Sequence, residues 1–133
     1  MTDRIIELAR ECMGTPFKHQ GRIAGVALDC AGLVVHILKS LGLPYLDDKG
    51  YPRGPFDGQL ERILEAEPSL VKVPKEDMQA GDVLVLRITK APQHLGIFTG
   101  STVIHTYADT GRVVEQRFAN WRRNITHVYR ITQ

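Results

Sequence analysis

Two cysteines and five histidines are the residues of this chain best suited to nucleophilic chemistry. A cysteine nucleophile needs a base within hydrogen-bond reach, and the base needs a third group to orient it. Cys30 is the stronger cysteine candidate, because it follows Asp29 at the start of an amphipathic helical repeat. There, free backbone N–H groups and the helix dipole favour a thiolate. The sequence therefore predicts an activated thiol at Cys30.

The other cysteine, Cys12, shares the apolar repeat of a first helix with Ile5, Leu8 and Ala9. A position on an apolar stripe is typical of a small core residue. Cys12 is therefore predicted to be a buried, inert thiol that does not pair with Cys30.

His94 and His105 are the candidates for the base and for the residue that orients it. They fall in two predicted strands joined by a tight turn at 100–101. A turn of two or four residues pairs Phe98 with Val103, and both histidines then share a face as diagonal neighbours. A three-residue turn would move His105 to the opposite face. The predicted chemistry therefore depends on the register of this hairpin.

The helix that carries Cys30 has recognisable ends. Asp29 is a favourable cap, Gly42 suits a left-handed residue after the last turn, and Pro44 prevents continuation. One face of this helix is predicted to be buried, because its apolar residues recur at the helical period. These are Leu33, Val34, Ile37, Leu38 and Leu41.

The remaining elements predict an α+β fold. A first helix capped by Thr2 or Asp3 reaches about Met13, and a short helix begins at Asp57 and stops before Pro68. Beyond Leu70 the apolar period changes from 3.6 to 2, which favours an antiparallel sheet. The predicted strands are Asp82–Ile88, His94–Thr99, Thr102–Tyr107, Arg112–Phe118 and Thr126–Ile131.

Composition excludes several classes of protein. The 133 residues, 43% of them hydrophobic, suffice for one globular core, so a single domain over 1–133 is expected. A net charge of +2, with basic residues scattered apart from Arg122 and Arg123, argues against nucleic-acid or membrane binding. Charges interrupt the apolar residues at the N-terminus, so no signal peptide is predicted and synthesis in the cytoplasm is expected.

Five segments carry a resemblance to a known family. They are GTPFKHQ (14–20), DCAGLV (29–34), QAGDVLVL (79–86), HLGIFTG (94–100) and VIHTY (103–107). In order and spacing they resemble the NlpC-type cell-wall peptidases, a papain-like family of cysteine hydrolases. The resemblance implies a nucleophile helix packed on an antiparallel sheet of about five strands, in one cysteine peptidase domain. It also implies cleavage of amide bonds in peptidoglycan stem peptides, without a cofactor.

By this resemblance Cys30 is the nucleophile, His94 the base and His105 the orienting residue. Many members have a tyrosine facing the oxyanion where this chain has Phe17, which leaves the backbone N–H of Cys30 and the ring of His19 as candidate donors. Many members also have, after the nucleophile, a serine that helps to hold a free substrate amine. This chain has alanine there and keeps Asp29 as the substrate contact. His36, His127 and Trp121 are predicted to have no chemical role.

The segments GTPFKHQ and DCAGL, with the ending WRRNITHVYRI, resemble the phage or gene-transfer-agent branch of the family. The resemblance implies phage tail proteins as partners and access to the wall through a tail tip or lysis.

Three alternatives stay open at the level of sequence. A Cys/His/His set could hold zinc, although no CxxC or HxxxH pair supports a metal site. A non-catalytic tail-assembly or wall-binding protein could keep the fold without turnover. An acyltransferase or amidase could use the same Cys–His pair on other acyl groups.

Overall fold

Helices cover one face of an antiparallel sheet in the computed structural model, which describes residues 1–53, 58–88 and 92–133. Within these ranges the helices are α1 (Thr2–Glu11), α2 (Cys30–Ser40) and α3 (Gln59–Ala66). The strands are β1 (Arg22–Ile23), β2 (Ala27–Leu28), β3 (Leu70–Val73), β4 (Val83–Arg87), β5 (Pro92–Phe98), β6 (Thr102–His105), β7 (Val114–Arg117) and β8 (Ile125–Ile131). The predicted α+β class is confirmed.

Helix α2 has the ends that the sequence predicts. The Asp29 side chain accepts a hydrogen bond of 2.7 Å from the Gly32 N–H, which caps the helix. Gly42 lies just beyond the helix at φ +72°, a conformation that glycine adopts without strain. The cap predicted for α1 is wrong: Met1 occupies the N-cap position and Thr2 is already helical.

The main sheet has the strand order β3-β8-β4-β5-β6-β7, so it contains six strands within the described residues. The strand without a sequence counterpart is β3, an edge strand that pairs with β8 from Leu70 opposite Ile131. Three of its four residues, Leu70, Val71 and Val73, are apolar, so this short segment lacks the strict alternation that marks a strand. A small hairpin, β1–β2, also forms in the Gly-rich loop before Cys30.

The hairpin β5–β6 has the predicted register. Phe98 pairs with Val103, and Gly96 pairs with His105. Gly96 is required by space, because a Cβ there would lie 2.5 Å from Cγ1 of Val103. The hairpin therefore holds His105 beside a strand position that no larger residue could occupy without a shift.

Two apolar layers cover the two faces of the sheet. On the helix side, Val83, Val85 and Leu95 pack in one cluster with residues of α1 and α2. On the other side, Leu84 and Leu86 pack with residues that include Phe118 and Trp121. Strand β4 is therefore buried on both faces.

The predicted start of the third helix at Asp57 lies outside the described residues. No helix among those described is long and apolar enough to cross a membrane.

Candidate active site

Cys30 is the first residue of α2, at the floor of an open cleft of about 150 Å³. His94, on β5, lines the same cleft. The cleft is also lined by Phe17, His19, Asp29, Tyr51, Thr106 and Tyr107. The structure therefore brings the predicted nucleophile and base to one surface. Among the described residues, no hydrogen bond joins Cys30 to His94 directly: Cys30 bonds to the backbone of Leu95 and Ala31, and Nε2 of His94 bonds to His105.

The surroundings of the Cys30 thiol raise its pKa. Burial, followed by the charge of Asp29, raises its pKa to about 12, although hydrogen bonds from the backbone N–H groups of Leu95 and Ala31 act in the opposite direction. This direction opposes the resting thiolate that the sequence predicts. The helix dipole is present, but the loss of hydration outweighs it. The sequence could not show how much water the neighbouring elements exclude.

Cys12 is a core residue, as predicted. Its side chain is fully buried, and its thiol donates to the Leu8 carbonyl oxygen over 3.5 Å. Burial raises the pKa of Cys12 to about 11. Both cysteines are free.

The two predicted histidines form a direct pair. Nε2 of His94 lies 2.7 Å from Nδ1 of His105, and both side chains are buried. Burial, and then the neighbouring His105, holds the pKa of His94 well below its usual value. Burial also lowers the pKa of His105, although its hydrogen bond to Gln116 opposes this. Both rings are therefore neutral at pH 7.

The histidine pair has a hydrogen-bond partner on the neighbouring strand. Oε1 of Gln116, on β7, lies 2.7 Å from Nε2 of His105. The same oxygen accepts a hydrogen bond of 2.9 Å from Nε1 of Trp121, a residue predicted to have no chemical role. No sequence signal pointed to Gln116, because a strand glutamine is ordinary until the neighbouring strand is known to carry a histidine.

Asp29 is fully engaged inside the protein. Oδ1 accepts from the Gly32 N–H at 2.7 Å and from Nη1 of Arg22 at 2.8 Å. Oδ2 accepts from the Gln20 N–H at 2.8 Å and from the Tyr51 hydroxyl at 2.5 Å. These four bonds use the lone pairs of a carboxylate. The predicted contact of Asp29 with substrate therefore competes with four internal bonds.

The other two predicted site residues are partly exposed. Phe17 is half-buried, and its backbone N–H donates to the Gly111 carbonyl over 2.9 Å, which holds the loop against the rest of the domain. The His19 ring meets Tyr51 edge to face at 5.5 Å between centroids. Its ring nitrogens have no hydrogen-bond partner among the described side chains. The oxyanion role of His19 stays a prediction.

The described residues contain no group of three or more His, Cys, Asp or Glu side chains arranged to hold a metal ion.

One buried polar atom at the cleft lacks a hydrogen-bond partner among the described residues. Thr106 is fully buried, and its Oγ1 has no partner among the described residues.

Comparison with known proteins gives the family and the fold. The family model described as the NlpC/P60 family matches residues 14–130. The NlpC/p60 domain of the peptidoglycan hydrolase SagA is similar, with a TM-score of 0.67 and 17% identity over 100% of this chain and 99% of that one. The peptidoglycan hydrolase RipB from Mycobacterium tuberculosis has a TM-score of 0.71 and 19% identity over 99% and 65% of the two chains.

A third similar structure is RipD from Mycobacterium tuberculosis, described as a non-catalytic NlpC/p60 domain protein adapted to peptidoglycan binding. Its TM-score is 0.64, with 16% identity over 99% of this chain and 97% of that one. At these identities the likeness shows the fold. A search of curated protein sequences found no match. The fold agrees with the family model, and that model covers most of the sequence, so this chain belongs to the NlpC/P60 family.

Proposed function

We propose that this chain is a cysteine hydrolase that cleaves amide bonds in the peptide stems of peptidoglycan. Cys30 is the nucleophile, His94 the general base and His105 the residue that orients the base. The observation that carries the proposal is the cleft that Cys30 shares with His94, whose Nε2 is bonded to the buried His105. Members of the NlpC/P60 family are generally peptidoglycan hydrolases, which supports the choice of substrate.

The first half of the proposed reaction starts from a neutral thiol and a neutral imidazole. Nδ1 of His94 accepts the thiol proton while Sγ of Cys30 attacks the carbonyl carbon of the amide. The backbone N–H of Cys30 stabilises the oxyanion, with the His19 ring as a second donor. When the C–N bond breaks, His94 passes the proton to the leaving amine, which leaves a thioester on Cys30.

The second half removes the acyl group. His94 takes a proton from water while the water oxygen attacks the thioester carbonyl. The C–S bond breaks, and the proton on His94 returns to the sulfur. His105 keeps the ring of His94 oriented in both halves, because the 2.7 Å bond between them does not involve Nδ1.

Digestion of purified peptidoglycan tests this proposal. Wild type and Cys12→Ala are expected to release stem peptides that mass analysis identifies, whereas Cys30→Ala releases none. Cys12→Ala is the matched control, because it removes the second thiol from a position outside the cleft. Equal release by wild type and Cys30→Ala would contradict the proposal.

The same experiment separates the alternatives. Binding of peptidoglycan by both wild type and Cys30→Ala without release of peptides would favour a wall-binding protein, the function described for RipD. Transfer of the acyl group to an added amine instead of water would favour an acyltransferase.

We further propose that residues 1–133 act as one domain and that the protein belongs to the phage or gene-transfer-agent branch. The motifs GTPFKHQ and DCAGL support this branch. Phage tail proteins are then the expected partners. A gene position among tail genes would agree with the proposal, and a position among host cell-division genes would contradict it.

A further inference from the structure

Four side chains form one continuous chain of hydrogen bonds that ends at His94. Nε1 of Trp121 lies 2.9 Å from Oε1 of Gln116. The same oxygen lies 2.7 Å from Nε2 of His105. Nδ1 of His105 then lies 2.7 Å from Nε2 of His94. The proposed reaction assigns roles to the last two residues only.

One group fixes the proton positions along this series of hydrogen bonds, because it can act only as a donor. The indole nitrogen of Trp121 is a donor and never an acceptor, so the Gln116 atom that faces it is the carbonyl oxygen. An amide oxygen only accepts, so Nε2 of His105 must carry a proton to bond to it.

Neutral histidine carries one ring proton, so Nδ1 of His105 then has a lone pair. That lone pair requires a donor, and the donor is Nε2–H of His94. Nδ1 of His94 is consequently left without a proton. The lowered pKa values of both histidines agree with this count, because each ring is neutral.

We propose that Gln116, held by Trp121, is a positioning residue that sets the tautomer of both histidines and leaves Nδ1 of His94 free to accept the proton of Cys30. The proposal rests on the proposed role of His94 as the base. Gln116 acts through His105, and Trp121 acts by fixing which end of the amide faces His105. Rotation of that amide would place its NH₂ group against Nε2 and favour the opposite tautomer in both rings.

Four variants test this inference. Gln116→Leu removes the acceptor at similar volume, and Gln116→Glu keeps an acceptor whichever way the group rotates. Trp121→Phe removes the indole N–H and keeps an aromatic ring, and the fourth variant combines Trp121→Phe with Gln116→Glu. The matched control is Glu115→Gln, on the same strand as Gln116. Its carboxylate pairs with Arg10 of α1 and accepts from Thr102, so the change alters bonds that do not involve the histidine pair.

The first readout is the tautomer itself, measured by ¹⁵N NMR of histidine-labelled protein. Wild type, Gln116→Glu and Glu115→Gln are expected to show His94 and His105 as Nε2–H tautomers. Gln116→Leu is expected to shift both rings towards Nδ1–H. Unchanged tautomers in a folded Gln116→Leu protein would overturn the inference, whether or not the protein cleaves peptidoglycan.

The second readout is the rate at which iodoacetamide alkylates Cys30, followed by mass spectrometry. Gln116→Leu should slow alkylation by about 10- to 100-fold, as loss of a histidine-orienting partner does at metal sites. Trp121→Phe should slow alkylation in the wild-type background. It should have no further effect in the Gln116→Glu background, because both oxygens of a carboxylate accept and neither needs to be turned towards His105. Equal losses of alkylation rate in both backgrounds would show that Trp121 contributes packing only, and would overturn its part of the inference.

These outcomes separate the inference from the proposed function. Tautomers and alkylation rates that follow Gln116 support the inference even if wild type releases no peptide from peptidoglycan, a result that would count against the hydrolase alone. If Gln116→Leu fails to fold, the Trp121→Phe measurements in the two backgrounds still test the inference: a loss confined to the wild-type background supports it, and equal losses count against it.

Discussion

The Tyr51 hydroxyl donates a 2.5 Å hydrogen bond to Oδ2 of Asp29, the residue that caps the helix of Cys30. The same hydroxyl accepts a bond of 2.7 Å from Nη2 of Arg22. A proline-containing connection is thereby tied to the backbone that holds Cys30. Because Tyr51 is only 7% exposed, these bonds replace water that the buried groups have lost.

Loss of the Tyr51 hydroxyl should destabilise the protein. Tyr51→Phe leaves Asp29 without one donor and Arg22 without one acceptor, and we expect the free energy of unfolding to fall by about 1–3 kcal/mol. Urea denaturation measures this. Tyr45→Phe is the control, because that side chain is 37% exposed and should change stability little. Equal effects of the two substitutions would show that the buried contact contributes nothing specific.

Asp29→Asn should lower the pKa of the Cys30 thiol. The charge of Asp29 is the second largest cause of the raised value, and asparagine removes this charge while it remains a good helix cap. Alkylation of Cys30 as a function of pH measures the shift. Asp47→Asn is the control, because it removes another carboxylate bonded to Arg22 and is not among the causes of the Cys30 shift. An unchanged midpoint in Asp29→Asn would contradict this account.

Stability should depend on pH through the histidine pair. Burial lowers the pKa of His94 and of His105 in the folded protein, so below about pH 6.5 the unfolded chain binds more protons. The stability is therefore fully present above that pH and is lost as the pH falls towards the folded values. The slope is at most about 1.4 kcal/mol per pH unit for each histidine.

Urea denaturation between pH 5 and 7.5 measures this slope. It should be smaller in His94→Gln and unchanged in His127→Gln, which alters a half-buried histidine outside the pair. A slope that survives in His94→Gln would mean that other groups carry the pH dependence.

Thr106→Val should stabilise the protein. The buried Oγ1 of Thr106 has no partner among the described residues, and a methyl group of similar size removes its desolvation cost. We expect the free energy of unfolding to rise by about 1 kcal/mol. Thr110→Val is the control with the opposite sign, because Oγ1 of Thr110 accepts from the Tyr107 N–H and its single proton lies between the carbonyl oxygens of Tyr107 and Arg112. A loss of stability in Thr106→Val would reveal a partner for this hydroxyl.

His19→Ala should lower kcat more than it raises KM. The ring lies at the cleft, and a donor that meets the oxyanion acts chiefly in the transition state. The expected loss is about 10²-fold, and Phe17→Tyr in the His19→Ala background should restore part of it. Steady-state kinetics on soluble stem peptides measures both. A kinetically silent His19→Ala in an active enzyme would leave the oxyanion to backbone groups alone.

Local patterns in the sequence determined the helix of Cys30 and the hairpin of the two histidines. Asp29 caps its helix, and Gly42 follows it in a left-handed conformation, because both effects act within one turn. The register of Phe98 with Val103 follows from a turn a few residues away. The candidates Cys30, His94 and His105 could therefore be named before the fold was known.

Only the tertiary structure decided how these groups behave. Gln116 contacts His105 because β7 pairs with β6, and no local pattern encodes which strands become neighbours. Tyr51 meets Asp29 across 22 positions of the chain. The raised pKa of the Cys30 thiol has the same origin. It depends on how much water the packed elements exclude, and exclusion of water is a property of the assembled fold and not of neighbouring residues in sequence.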